Sequence, residues 1–393
     1  MKIAIICIDN KLESNYSALN TLKLNINKIG EEASLIFYCN NIEEISNINL
    51  NNYNCVILLN NQDIGSFNSN TSKLSELLHK GTTTNQSIIA NINNYCNYNN
   101  ISLESHKTML VPTDSIPIID PHFLDAGYIN KYNNTLIISL PNNDQFIKAV
   151  FDQGITRFLA PTIAQFDSLL TLRCYGTLLS SIKQTISNEL NNSSINITFV
   201  NNRLDTAIYI RYNSTQNAIA QPIIAEICSK LNNYIYSTDD TNLYETATNL
   251  LSIQRKKLAI VETITNGNIA HQLNKHNANN LIQFSQNFTN QSAILEQFRV
   301  DDKLINHHGF NSVNIVYELD NLLIQKTVAD IAIFVLGDIN DDMCYVAIGD
   351  LDGIHVYKNK INHNDTSLID TLSETTMFYL IKKLKQNDYK FLV

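Results

Sequence analysis

The sequence predicts an α/β protein in three parts, and three observations carry that reading. At 393 residues the chain exceeds what one hydrophobic core usually serves. Short apolar runs alternate with helical spacings near both ends, the rhythm of strand–helix–strand units and parallel sheets. Between them lies a stretch of about 70 residues patterned as helix, strand, strand, helix. The expected parts are a parallel-sheet domain over 1–165, a small α+β domain over 166–240 and a second α/β domain over 241–393.

From the start, Lys2 to Ile8 reads as a buried strand, and Tyr16 to Ile29 carries apolar residues at helical spacing that stop at Gly30. Ala33 to Cys39 and Asn54 to Leu59 follow as strands. Ser105 to Asp120 is irregular, with Pro112 and Pro117 before Pro121, and Leu136 to Leu140 is a later strand leading into a helix through Phe151. The stretch around Pro161 is the expected boundary. The middle part comprises a helix (Leu178 to Leu190), strands Ile195 to Asn201 and Leu204 to Tyr212, and a helix from Pro222 to Leu231 whose proline suits a first helical position. From Thr241 come a helix, strand Lys257 to Val261, helix Asn268 to His276, strands Val328 to Leu336 and Met343 to Gly349, and a closing helix Ser367 to Lys385. No tandem repeat is visible.

Composition narrows the function classes. Charged residues are only 17% of the chain, against roughly 25% in ordinary domains, and 57 asparagines supply the missing polarity. Because they are interleaved with periodic apolar positions, they accompany a folded chain rather than a disordered one. The net charge of −9 argues against a phosphate-backbone footprint, so nucleic acid is not an expected partner. Seven dispersed cysteines without a CxxC fit buried thiols of a reducing compartment. No apolar run reaches the length of a membrane span, and the chain is expected to be cytoplasmic. Only 11 glycines occur, which limits the backbone phosphate cradles the chain can build.

One segment carries chemistry. Lys257 to Gly267 reads KLAIVETITNG, a strand running into a hydroxyl-bearing turn and a helix. It resembles LAVAESCTGG, the signature that opens the C-terminal domain of the CinA family, the nicotinamide mononucleotide amidohydrolases. Phe284 with Phe288-Thr289-Asn290-Gln291 is similar to that family's F..G.VTYSNE, His308-Gly309-Phe310-Asn311-Ser312 to its HGAVS, and Ala329-Asp330-Ile331-Ala332 with Gly337 to its ADxAxxxxGIAGP. Upstream, Ile6 to Leu12 resembles the opening IS(I/V)GDEL of the molybdopterin-biosynthesis-like domain, and Cys55 to Asn61 its VIVTGG. Lys107 with Leu110 and Pro112 resembles its RKQALLP, Asp120-Pro121 with Gly127 its NPxGTAPG, and Leu140-Pro141 its LPGVPSEM. Arg173 with Gly176 fits the LRxxGxxES opening of the small KH-like domain, and Ile208 to Arg211 its strand xLR.

The resemblance implies a homodimer, a nucleotide ligand, Thr263 as candidate nucleophile, and binding positions at Glu262, Thr265, Gly267, Gly337 and Lys107. The departures are as informative as the matches. The acidic pair of GDEL is Asn10-Lys11, and the glycine-rich turns are Leu59-Asn60-Asn61-Gln62-Asp63 and Asn142-Asn143-Asp144. No cofactor is evident, and a divalent metal is expected only if pyrophosphatase activity survives in the N-terminal domain. The family's lysine base falls on Ala293 or Ile294, its GIAGP loop on Gly337-Asp338-Ile339-Asn340-Asp341, and its late arginine on Asp365. A lost general base costs on the order of 100- to 10,000-fold in rate. The expectation is therefore a retained fold with degenerate active sites, acting by binding or interaction. The alternative is a nicotinamide mononucleotide deamidase using Thr263.

Plainer roles stand beside the chemical ones. Thr263 and Thr265 suit N-capping of the helix near Asn268. His307-His308 reads as a turn before Gly309 rather than a metal site, since no acidic or cysteine cluster has ligand spacing nearby. Asp338 to Asp342 reads as a polar surface turn. Between Leu169 and Thr238 there is no GxxG loop with which a KH module would clamp RNA.

Overall fold

A computed structural model describes residues 1–8, 12–60, 64–101, 109–160 and 166–389. Lys107, Asn10-Lys11 and Asn61 to Asp63 lie outside the described residues. By internal contacts the chain forms two compact units. One comprises Met1–Leu170, Ser187–Val200 and Ile208–Ala225; the other comprises Thr171–Ile186, Asn201–Ala207 and Glu226–Val393.

The first unit is built on β1 (Ile3–Ile8), α1 (Leu12–Lys28), β2 (Ala33–Cys39), β3 (Cys55–Asn60), α2 (Ile64–Leu77), β4 (Thr82–Thr84), α3 (Gln86–Tyr98), β5 (Leu110–Pro112), β6 (Ile116–Ile119), β7 (Ala126–Tyr132), β8 (Thr135–Pro141), α4 (Asp144–Asp152) and α5 (Thr156–Leu159). Its six-stranded sheet has the order β2-β1-β3-β8-β7-β6. The first four strands are parallel, and β7 and β6 continue the sheet antiparallel. β1 reads as an unbroken apolar run because both of its faces are covered. Ile3, Ile5 and Cys7 pack with α1 and α4 through Leu22, Ile26, Phe146 and Val150. Ala4, Ile6 and Ile8 pack with α2 and α3 through Phe67, Leu74, Ile88 and Ile92. Cys7 and Cys55 are buried, and burial pushes each thiol up to about 12, as expected for inert core cysteines.

The middle stretch contains β9 (Ser168–Tyr175), α6 (Leu179–Thr185), α7 (Ser187–Leu190), β10 (Ile195–Asn202), β11 (Asp205–Tyr212), α8 (Asn217–Leu231) and β12 (Ile235–Ser237). The single helix expected from Leu178 to Leu190 is interrupted at Ile186, whose backbone leaves the helical region. Pro222 does not open its helix. It sits in the second turn of α8, where it costs one ladder hydrogen bond. The two arginines singled out by the resemblance are internal ties: Arg173 donates to Tyr236 Oη at 2.9 Å and pairs with Asp205, and Arg211 donates to Thr198 Oγ1 at 3.0 Å and Lys28 O at 2.9 Å.

The rest of the second unit runs α9 (Leu243–Ile253), β13 (Leu258–Glu262), α10 (Asn268–Lys275), β14 (Ile282–Asn287), α11 (Gln291–Phe298), α12 (Asp302–His308), α13 (Val313–Lys326), β15 (Ile331–Leu336), β16 (Met343–Asp350), β17 (Gly353–Lys360) and α14 (Leu368–Tyr389). The sheet order is β14-β13-β15-β16-β17, parallel through β14, β13 and β15 and antiparallel beyond. Leu258 and Ile260 face a core with α9, α10 and α14, while Ala259 and Val261 face α11 and α13. The strand expected from Val328 begins only at Ile331. Val328 is 86% exposed, and Asp330 turns its carboxylate back to accept from the Lys257 N–H at 2.7 Å. The half-exposed edge strand β14, with polar residues at alternate positions, gave no clear apolar run to find. Among the described residues no helix is long and apolar enough to cross a membrane.

Candidate functional site

In an open α/β sheet, ligands sit beyond the carboxyl ends of the strands, where the order of connection reverses. That place in the second unit lies between β13 and β15: the chain leaves β13 for β14 on one side and later returns to β15 on the other. A cavity of about 360 Å³ opens there. Thr263 and Ile264 follow β13, Phe288 follows β14, and Leu336 and Gly337 end β15. Ile294 and Phe310 add apolar wall, and Thr289, Asn290, Gln291, Asn311, Asn266, Asp338 and Ile339 complete the lining. Among the described residues the lining contains no lysine, arginine or histidine.

Glu262 is the best-defined side chain at this end of the sheet. It is 1% exposed, and its two carboxylate oxygens accept from the backbone N–H groups of Ile269 and Ala270, each at 3.0 Å. The carboxylate thus caps α10 from the preceding strand, combining charge-assisted hydrogen bonds with a favourable position at the helix N-terminus. This corrects the expectation that Thr263 or Thr265 caps the helix. The N-cap residue is Gly267, in the left-handed region at φ 78° and without a capping side chain, directly after Asn266 at φ 51°. Two successive residues of that conformation let the chain turn sharply enough for the helix to meet Glu262.

Thr263 Oγ1 accepts from the Gly337 N–H at 3.0 Å and lies within donating distance of Gly337 O at 2.8 Å and Val335 O at 3.1 Å. Its hydroxyl stitches the end of β13 to the end of β15. Thr265 is fully buried, and its hydroxyl has no hydrogen-bond partner among the described residues. Of the six candidate positions, five therefore fall around one turn, while Lys107 lies outside the described residues.

At the position where the resemblance expects a lysine, Ile294 is buried in the cavity wall, and the Ala293 N–H donates to Asn290 Oδ1 as part of the α11 cap. The loop after Gly337 is closed by its own carboxylates. Asp338 Oδ1 accepts from Asn340 N at 2.9 Å and Nδ2 at 2.8 Å, and Asp341 Oδ2 accepts from Asp338 N at 3.0 Å and Asn311 Nδ2 at 2.5 Å. Asp365 accepts from Ser367 N, Ser367 Oγ and Thr371 Oγ1 at the start of α14, and these bonds lower its pKa below the ordinary carboxylate value. His307 and His308 occupy the last turn of a short helix that ends at Gly309; their rings lie 4.5 Å apart, edge to face. Among the described residues no group of three or more His, Cys, Asp or Glu side chains could hold a metal ion.

Among the described residues, asparagines stand at the ends of β3 and β8 in the first unit. Asn60 Oδ1 accepts from Asn70 Nδ2 at 2.8 Å, and Asn60 O accepts from the Asn142 N–H at 2.7 Å. Asn143 caps α4 at Phe146 N and donates to Asp125 Oδ2 at 2.9 Å. Among the described residues this set offers amides and the Asp125 carboxylate, already engaged by Asn143, fewer carboxylate oxygens than a divalent cation favours. Gly127 keeps its close packing role: a Cβ there would run into the Ser139 carbonyl.

The fold and site define a parallel-sheet α/β protein with a pocket at the strand ends of its second unit. No protein-family model matches the chain. It is 21% identical over 325 residues, 76% of each chain, to a competence-damage inducible protein of Halothermothrix orenii. A protein described in the same words from Clostridium beijerinckii is 24% identical over 176 residues, 42% of each chain. Among solved structures, a CinA superfamily protein of Klebsiella pneumoniae aligns with 37% of this chain and 99% of its own at 19% identity and a TM-score of 0.34. A molybdopterin biosynthesis protein of Mycobacterium abscessus aligns with 40% of this chain and 92% of its own at 9% identity and a TM-score of 0.26. The chain is thus similar in sequence, at 21–24% identity, to proteins described as competence-damage inducible.

Proposed function

We propose that this CinA-like chain binds a small molecule in the cavity beside Thr263 and does not hydrolyse amides there. One observation carries the reading: the Thr263 hydroxyl is held by the backbone of Val335 and Gly337, with no basic side chain lining the cavity among the described residues. A hydroxyl attacks an amide only when a base takes its proton and donors receive the oxyanion. The Gly337 N–H, the natural donor at this strand end, is spent on Thr263 itself. Glu262 is adjacent in sequence, yet its carboxylate is buried and engaged at α10.

A second reading, nicotinamide mononucleotide deamidation with Thr263 as nucleophile, draws support from that hydroxyl standing in the wall of the cavity. The two separate in one assay. Purified protein incubated with nicotinamide mononucleotide is expected to release no ammonia above background, with Thr263→Ala indistinguishable from the parent. Ammonia release that disappears in Thr263→Ala establishes the second reading and removes the first.

A further inference from the structure

We propose that the cavity beside Thr263 takes an uncharged or positively charged heteroaromatic molecule of nucleoside size and discriminates against its phosphorylated form. This rests on the binding reading above and adds the ligand's charge and shape.

Proteins hold a phosphate dianion with lysine or arginine, with an open helix N-terminus, or with a nest of unused backbone N–H groups. Around this cavity these devices are missing or largely occupied. No cation lines it among the described residues. The N-terminus of α10 already holds an anion, the Glu262 carboxylate. The Gly337 N–H donates to Thr263 and the Asp338 N–H to Asp341, so the loop that would wrap a phosphate has spent these donors inside the protein. At α11 the Ala293 N–H is taken by Asn290. The fixed charge at the rim is negative: Asp338 lines the cavity, and Asp341 stands one hydrogen bond behind Asn311. A phosphate brought here loses its hydration and meets like charge.

What the lining does offer suits a flat polar ring. The phenyl rings of Phe288 and Phe310 supply apolar and π surface. The amides of Asn266, Asn290, Gln291 and Asn311 line it; with Asn266 Oδ1, Asn290 Oδ1 and Asn311 Nδ2 engaged within the protein, the Nδ2 groups of Asn266 and Asn290, Asn311 Oδ1 and the Gln291 amide still combine donors and acceptors of the kind that read the edge of a heterocycle. At about 360 Å³ the cavity sits near the lower end of small-molecule sites, roughly 300–1,000 Å³. Asp338 and the two aromatic faces also accommodate a delocalised cation such as a pyridinium.

The test uses the full chain and calorimetric titration with two matched pairs, adenosine against adenosine 5′-monophosphate and nicotinamide riboside against nicotinamide mononucleotide. Each nucleoside is expected to bind at least tenfold more tightly than its monophosphate. Asp338→Asn, which preserves an acceptor for the loop, should narrow that ratio, and Asp338→Lys should reverse it. Monophosphates that bind as tightly as the nucleosides, or more tightly, overturn this inference and leave the binding reading standing. Absence of binding by all four at millimolar concentration overturns both. Thr263-dependent ammonia release with the nucleoside preference intact overturns the non-hydrolytic reading alone.

Discussion

The two large sheets are built alike, each with a buried parallel strand pair whose alternate residues face two helical layers, yet their strand ends are finished differently. In the first unit, among the described residues, Asn60 at the end of β3 and Asn143 after β8 are engaged with Asn70, the Asp125 carboxylate and the backbone at the start of α4. In the second, a single buried carboxylate caps α10 and leaves a cavity beside it. A parallel α/β sheet supplies a crevice at its strand ends whatever the side chains are; among the described residues, asparagines stand at the ends of β3 and β8 in one unit, and in the other a cavity without a lining cation opens beside Thr263.

The sharpest way to break this contrast is Glu262→Ala. It removes both acceptors of the Ile269 and Ala270 N–H groups and leaves them buried, so the second unit should lose about 3 kcal/mol. Amide exchange across residues 268–275 checks it, and protection unchanged from the parent would show that the cap is not what orders the turn.

A smaller effect is expected from pH. Burial pushes Glu374 up to about 7, against the pull of Arg203. A carboxyl whose folded value exceeds its ordinary 4.5 holds its proton more firmly when folded. Its contribution is therefore present in acid and lost as pH rises through this window. With its side chain 19% exposed, solvent screening leaves an effect of about 1–2 kcal/mol. Glu374→Gln should flatten that slope of stability against pH, measured by urea unfolding at a series of pH values.

Thr263→Val should cost about 1 kcal/mol by cutting the stitch between β13 and β15, with Thr263→Ser restoring most of it. Thermal melting of the two variants distinguishes this structural role from a silent one. The smallest change is in the first unit: Asn143→Ala removes the N-cap of α4, worth about 1 kcal/mol or somewhat less. The loss should be confined to exchange in residues 144–152 and leave the second unit untouched.

Much of this was legible in the residues. Apolar runs such as Ile3–Ile8 and Leu258–Glu262 declare buried strands because both of their faces are covered. The partial motifs around Thr263 were enough to place five candidate positions around one turn. Other features were not legible. The edge strand β14 is half exposed and polar, so periodicity had little to act on. Asn266 and Gly267 showed that a turn was due, but not that Glu262 would reach forward seven and eight residues to cap the helix after it.

By itself, then, the sequence determined the α/β class, the family resemblance and the absence of a lysine from the expected position, because residue type and apolar spacing are local properties written in order along the chain. Only the tertiary structure decided that the Thr263 hydroxyl is bound to the end of β15, that the Gly337 and Asp338 N–H groups are spent inside the protein, and that acidic and amide groups from four separate segments share one cavity. Those facts depend on which strand ends lie side by side, and hydrogen-bond partners 74 residues apart leave no mark in the spacing of either.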